Sequence, residues 1–255
     1  MIYRGIFIKG LFSFIKGKTD LSDIGDGLVM IGLALVVISC AYLIGSLNFA
    51  VIISRIKYGQ DIRDFGSGNG GSTNMLRTYG RKMGALTLLC DMLKAAVACT
   101  VGSLCLGLTV GGYMAAFFCM LGHMFPVYYK FKGGKGVAVA AASMLMLNPS
   151  VFVIILVCFL VIVGGTKYVS LGSVMCAFLY PVFLKTMNDI LFPYLYALGV
   201  TKIGPDVLFA VLIAVFVIFM HRENIKRILN RTESKISFKK KSSKKATEEA
   251  EEPQA

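Results

Sequence analysis

The sequence predicts an all-α protein, a polytopic membrane helix bundle of about seven transmembrane and part-membrane helices. Three observations predict it. Hydrophobic residues fill 56% of the 255 positions, and the mean hydropathy is +0.71, far above the usual soluble share. Several runs approach or exceed the roughly 20 apolar residues that cross a bilayer. These runs are continuous rather than alternating, which argues against a membrane β-barrel.

Taken in order, residues 1–27 interleave Ile6, Phe7, Ile8, Leu11, Phe12, Phe14 and Ile15 with Arg4, Lys9, Lys16 and Lys18. That pattern fits an interfacial helix better than a cleaved signal peptide, because no clean apolar run leads to a small-residue cleavage site. Asp20, Asp23 and Asp26 then make a polar link. Residues 28–231 form the membrane domain. Its first span is 28–54, where Gly45-Ser46-Leu47-Asn48 suits close helix packing more than a lining role. A polar, glycine-rich loop fills 59–82. The second span is 84–108, with Asp91 and Lys94 three apart on one helix face, where they can pair. The third, 110–128, ends in Gly122-His123-Met124-Phe125-Pro126, followed by Lys130-Phe131-Lys132-Gly133-Gly134-Lys135-Gly136.

Residues 137–163 are apolar but broken at Asn148-Pro149, since proline disfavours helix before it and removes a donor. Two short helices forming a hairpin are expected. Gly164 to Lys167 return to the loop side, and a span runs from Tyr168 to about Lys185. Residues 186–204 connect on the far face, and 205–220 form the last span. This path puts the N-terminus outside. If Asn148-Pro149 were only a kink, 187–200 would have to cross instead. Residues 232–255 are Lys/Ser-rich and then Glu-rich, the composition of a disordered charged tail.

Charge sharpens the topology. The formal charge is +13, and Lys and Arg concentrate in a few polar segments and the tail. That distribution marks cytoplasmic loops and suits anionic lipid headgroups; no nucleic-acid partner is expected. The seven cysteines all lie in apolar segments without CxxC or zinc spacing, so they read as small buried hydrophobes.

The chemistry lies in the loops. Phe65-Gly66-Ser67-Gly68-Asn69-Gly70-Gly71-Ser72-Thr73-Asn74-Met75-Leu76-Arg77 could not form an apolar core. It offers backbone N–H groups and hydroxyls ahead of a helix start, which suits an anion such as phosphate. Two spans separate this loop from Gly133-Gly134-Lys135-Gly136, so both lie on one side and can converge. Gly66-x-Gly68-x-x-Gly71 matches a dinucleotide fingerprint in letters only, because that fingerprint needs a preceding strand. The second loop is no Walker A motif: Tyr129 stands where glycine belongs, and Gly136 follows the lysine. A nucleophile elbow is absent, and the chain holds two histidines, which leaves little for acyl-serine chemistry. His221 and Asn224, three apart, share a face if the last helix continues. A plain helix-capping histidine is the simpler alternative.

Three blocks together resemble one family. They are Gly66-Ser67-Gly68-Asn69-x-Gly71-x-Thr73-Asn74-x-x-Arg77, Gly122-His123 through Phe131-x-Gly133-Gly134-Lys135-Gly136, and His221-Arg222-x-Asn224-Ile225-x-Arg227. The family is the bacterial membrane glycerol-3-phosphate acyltransferases that use acyl-phosphate, the PlsY family, and the resemblance covers roughly residues 30–235. It implies transfer of a fatty acyl group from acyl-phosphate to the 1-hydroxyl of glycerol 3-phosphate, giving lysophosphatidic acid and phosphate. It implies a seven-helix bundle in the bacterial plasma membrane, with the site facing the cytoplasm. No cofactor, metal, acyl-CoA or acyl-carrier protein is implied, and the chain is expected to act as a monomer.

Carried over by motif position, His221, Asn224, Lys135 and Ser67 are the implied catalytic residues. Gly68, Asn69, Thr73, Asn74, Arg77, Gly133, Gly134 and Gly136 bind phosphate, with Arg81 and Ser173 matched by position. Gly70 and Ser72 depart from the family's usual Pro or Ile and Ala, but keep the site small. Two other classes fit less well. A transporter would place its polar groups at mid-membrane. A Mg²⁺-dependent phosphotransferase would need clustered carboxylates, and the acidic residues here are dispersed.

Overall fold

The computed structural model describes residues 11, 23–197 and 205–236. Among these it is helical, with no strand. Of the expected interfacial segment 1–27, residues 1–10 and 12–22 lie outside the described residues, as does the tail beyond 236.

Helix α1 (Asp23–Gly45) starts earlier than the sequence suggested, taking in Asp23 and Asp26 of the expected polar link. It stops where the sequence read one continuous span. After a break at Ser46–Asn48, α2 (Phe49–Tyr58) begins. Asn48 causes the break: its side-chain oxygen accepts from Val51 N–H at 3.1 Å, capping α2. Such a bond competes with continuing the helix. Helix α3 (Ser72–Tyr79) follows the first glycine loop, and α4 (Arg81–Leu106) is a full span. A short π-turn at Leu108–Gly112 leads into α5 (Tyr113–Met124).

The break at Asn148 is present: α6 (Val137–Leu147) and α7 (Pro149–Thr166) flank it. α6 begins two residues after Lys135 and α7 ends just before Lys167. Both ends lie at the same face, because Glu233 accepts from Ser170 at 2.8 Å and from Asn224, whose oxygen accepts from Lys135. The pair therefore leaves that face and returns, a hairpin. α8 (Val169–Ala197) continues past the predicted end near Lys185. Lys185 and Asp189 pair at 2.7 Å in the i,i+4 relation with both side chains largely exposed, so the helix runs on in a polar setting. α9 (Asp206–Met220) returns, bends by 55°, and continues as α10 (Arg222–Leu229).

Among the described residues, five helices are long and apolar enough to cross a membrane, six if the bent α9–α10 pair counts as one span. The short α6 adds a part-membrane helix. Large apolar side chains such as Leu35, Val157 and Val161 face outward, as lipid contact requires. Inside, small residues bring backbones together. A Cβ on Gly45 would lie 2.0 Å from the Cys119 carbonyl oxygen, and one on Gly122 would lie 2.2 Å from that of Tyr42. The α1–α5 crossing is thus set by a pair of glycines, the membrane packing mode in which small residues replace hydrophobic driving force. All seven cysteines are free; Cys99, Cys119 and Cys176 are buried, whereas Cys40 faces outward.

Asp91 and Lys94 pair at 2.8 Å, as their spacing predicts. The pairing includes a third member the sequence did not reveal: His123 of α5 lies with Nδ1 3.0 Å from Lys94 Nζ.

Candidate active site

The first loop is built around Asn74. Its amide nitrogen donates to the carbonyls of Ile62, Phe65 and Asn69 at 2.9–3.1 Å, and its oxygen accepts from Ser67 N–H at 3.1 Å. Asn74 is 1% exposed. Its polar groups already hold the loop, which gives Asn74 a scaffolding role beside its place in the pocket wall. Gly66 sits at φ +60, and a Cβ there would meet Asn74 Oδ1 at 2.4 Å. Only glycine combines that dihedral with that approach.

The second loop docks onto the first. Gly70 N–H donates to Gly133 C=O at 3.3 Å, and Arg63 donates to the carbonyls of Tyr129 and Lys132 at 2.9 and 3.0 Å. Asp61 fixes that guanidinium with a 2.7 Å ion pair. The expected convergence of the loops is observed, but not the expected use of every glycine amide. Gly133 N–H donates to Met124 C=O, Gly134 N–H to His123 C=O, and Gly68 N–H to Phe65 C=O. Gly133 and Gly134 instead permit close docking on α5, where a Cβ on Gly133 would lie 2.0 Å from the His123 carbonyl oxygen. Gly68 lines a separate shallow cavity with Arg63, Asp64, Lys130 and Lys132.

Two helix starts bring further backbone amides to the pocket. α3 begins at Ser72 and α6 at Val137, and first-turn N–H groups have no intrahelical acceptor. Ser72, Thr73, Gly136, Val137 and Ala138 line the same pocket. Two positive helix ends facing one cavity favour a negatively charged ligand.

The third block closes the site. His221 ends α9 and Asn224 lies in the first turn of α10, 3% and 6% exposed. His221 Nδ1 lies 2.7 Å from Val217 C=O. A carbonyl only accepts, so this ring carries its proton on Nδ1 and leaves Nε2 as an acceptor. Lys135 Nζ donates to Asn224 Oδ1. Burial, and then the charges of Arg227 and Arg77, lower the Lys135 ammonium to about 8, with Glu233 opposing.

Glu233 was not visible as a site residue in the sequence, where it opens what reads as a charged tail. Residues 232–236 are in fact bound to the site. The Glu233 carboxylate accepts from Ser170 Oγ at 2.8 Å, Asn224 Nδ2 at 2.7 Å and Arg227 Nε at 2.8 Å. Burial raises this carboxyl, but these three donors outweigh it, and it sits below its ordinary value. Arg77 donates to Ser234 C=O at 3.2 Å, and Ile236 N–H to Lys167 C=O at 2.9 Å. The segment straps α3, the α7–α8 turn and α10 together. No residue-type pattern announces it, because one acid among lysines and serines resembles a solvated tail.

One pocket of about 590 Å³ gathers the rest. Ser67, Asn69, Thr73, Arg77, Arg81, Lys135, Gly136, Ser173, His221 and Asn224 all line it, together with the scaffolding Asn74. Ser173 Oγ donates to Val169 C=O at 2.9 Å, which leaves its oxygen able to accept. Below this polar end the walls turn apolar, with Met144, Phe152, Ile155, Phe159, Ile213 and Val217. Among the described residues no group of three or more His, Cys, Asp or Glu side chains could hold a metal ion.

Comparison with known proteins agrees with this geometry. Residues 35–231 match the model of the family described as glycerol-3-phosphate acyltransferase. The chain is 39% identical over 198 residues to the glycerol-3-phosphate acyltransferase of Geobacillus kaustophilus, covering 78% of this chain and 93% of that one. It is also 39% identical over 205 residues to that of Clostridioides difficile, covering 78% and 94%. In three dimensions it is similar to PlsY, an integral membrane glycerol 3-phosphate acyltransferase, crystallised in a glycerol 3-phosphate form. The TM-score is 0.70 at 33% identity, over 80% of this chain and 96% of that one. A lysophosphatidic acid form of PlsY matches with a TM-score of 0.66 at 32% identity. The fold, the three converging blocks and these matches lead to one conclusion: this chain is an integral membrane protein that belongs to the glycerol-3-phosphate acyltransferase family.

Proposed function

We propose that this chain transfers a fatty acyl group from acyl-phosphate to the 1-hydroxyl of sn-glycerol 3-phosphate, the first step of bacterial phospholipid synthesis. The products are lysophosphatidic acid and inorganic phosphate. The observation that carries the reading is the two-part pocket, a cationic end with helix-start amides joined to an apolar groove. Both substrates bear phosphate and one bears a lipid tail. The PlsY relatives crystallised with glycerol 3-phosphate and lysophosphatidic acid support it.

In this reading Ser67, Thr73, Arg77, Arg81 and Lys135 hold the phosphates, aided by Asn69, Ser173 and the amides at Ser72 and Gly136. The acyl chain lies along Phe152, Ile155 and Phe159. Acyl-phosphate is an activated donor, so positioning and charge stabilisation provide most of the catalysis. The glycerol hydroxyl oxygen forms a bond to the acyl carbon, the carbon–oxygen bond to phosphate breaks, and phosphate leaves with that electron pair. His221 Nε2 accepts the hydrogen bond of the attacking hydroxyl, with Asn224 beside it. The proton goes to His221 or to the departing phosphate. No acyl-enzyme, cofactor or metal takes part. The basic loops favour a site at the cytoplasmic face of the bacterial plasma membrane, and a single chain supplies every group named, as suits a monomer.

The donor is the point to test. Purified protein receives glycerol 3-phosphate with either acyl-phosphate or acyl-CoA. Lysophosphatidic acid formed from acyl-phosphate alone is the expected result. Equal turnover of acyl-CoA would overturn the donor assignment.

A further inference from the structure

We propose that Asp91, Lys94 and His123 form a buried positioning triad that seats the second glycine loop, and with it Lys135, against the first. The Lys94 ammonium has three donors, and three acceptors surround it. They are Leu47 C=O at 2.7 Å, Asp91 Oδ1 at 2.8 Å and His123 Nδ1 at 3.0 Å. Lysine cannot accept, so Nδ1 of His123 is the acceptor and its proton sits on Nε2. Asp91 and Lys94 are 1% and 4% exposed and His123 3%, so the cluster sits at low dielectric, where a lost partner is costly. Asp91 Oδ1 meets Lys94 as an ion pair rather than a hydrogen bond, and His123 Nδ1 lies 3.5 Å from it.

Each arm of the cluster reaches a phosphate loop. Leu47 precedes Asn48, whose Nδ2 donates to Gly70 C=O at 3.2 Å. His123 holds the other loop twice. Its carbonyl accepts from Gly134 N–H at 3.0 Å. Its ring edge fills the place of a side chain at Gly134, where a Cβ would lie 2.1 Å from Nε2 and 3.0 Å from Gly70 C=O. The Nε2 edge therefore stands where both loops meet, one residue before Lys135. Asp91 and His123 also line the pocket that contains Lys135. A lone ion pair serving helix packing would need neither the third member nor its contact with Gly134.

The tautomers give a direct readout, because the chain has two histidines and they are opposite. His123 carries hydrogen on Nε2; His221 carries it on Nδ1, facing Val217 C=O. Nitrogen-15 spectra of histidine-labelled protein in lipid bilayers should show one ring of each kind, assigned with the His221→Gln variant. The charge-neutral double variant Asp91→Asn with Lys94→Met should release the His123 tautomer and leave His221 unchanged. A pair of substitutions separates positioning from plain stability. Glutamine places its amide near Nε2, asparagine near Nδ1. His123→Gln should keep kcat/KM within about tenfold, while His123→Asn should lose about 100-fold, mostly in kcat, at equal thermal stability. Hydrogen on Nδ1 of His123, or an asparagine variant as active as the glutamine one, would overturn the proposal. The activity comparison rests on Lys135 holding phosphate. The spectra do not, so the triad can fail while that reading stands, and the reverse.

Discussion

At the residue scale, the site divides into side chains that keep a donor or acceptor for a ligand and side chains whose polar groups are all occupied. Thr73, Arg77, Lys135 and His221 line the pocket. The first three were legible in the sequence, because a hydroxyl and cations near glycines have few structural uses, whereas His221 read as a helix cap until the family resemblance gave it a role. Asn74 was legible as important, but its role was not. An amide can face a ligand or its own loop, and only the hydrogen bonds distinguish the two. Glu233 was illegible, since a carboxylate's burial depends on donors far away in sequence, such as Ser170. Lys135 leads to a pH prediction. Its pKa lies at about 8 in the free protein, below the ordinary lysine value, so the ammonium is present below that pH and lost above it. If the charge holds phosphate, kcat/KM falls as pH rises through about 8. Bound phosphate favours the ammonium, so the limb in kcat shifts upward. Initial rates across pH 6–10 check this. Lys135→Arg, which stays charged throughout, should abolish the limb near 8 even at lower activity.

At the element scale, breakers with a strong intrinsic rule were readable. Asn148-Pro149 ends α6 and starts α7. The break at Ser46–Asn48 was not foreseen, because it depends on Asn48 capping α2 while donating to Gly70 C=O. The length of α8 was also hidden, since polar residues from Lys185 onward suggested a loop although they suit an exposed helix equally well. Close crossing of α1 and α5 gives this scale its prediction. Gly45→Val places a branched side chain onto the Cys119 carbonyl, which only backbone separation can relieve. Overpacking should cost about 1–3 kcal/mol or more, read as a lower unfolding midpoint in detergent, with activity falling through lost folded protein. The same substitution at Gly164, which has open space around its Cβ position, should leave the midpoint nearly unchanged.

At the scale of the whole molecule, parity organises the function. α4 and α5 leave and return, α6 and α7 leave and return, and α8 and α9 do so again, so each glycine loop and the α9–α10 bend arrive at one face. Charge and hydropathy made that count legible, as did the three blocks in order. What could not be read was how the face is fastened: Arg63 to the second loop, the Asp91–Lys94–His123 cluster between the loops, and residues 232–236 across the top. These are long-range contacts between segments that each look ordinary alone.

The central claim is that this fastened pocket joins two phosphate-bearing substrates by direct transfer. The most direct measurement is phosphate release by purified protein in lipid, without added metal, given acyl-phosphate with or without glycerol 3-phosphate. Direct transfer predicts release only when both substrates are present, in step with lysophosphatidic acid, and its loss in folded Lys135→Ala and Arg77→Ala variants. A stoichiometric burst of phosphate and a stable acyl-enzyme without glycerol 3-phosphate, or no release from folded wild-type protein, would contradict it.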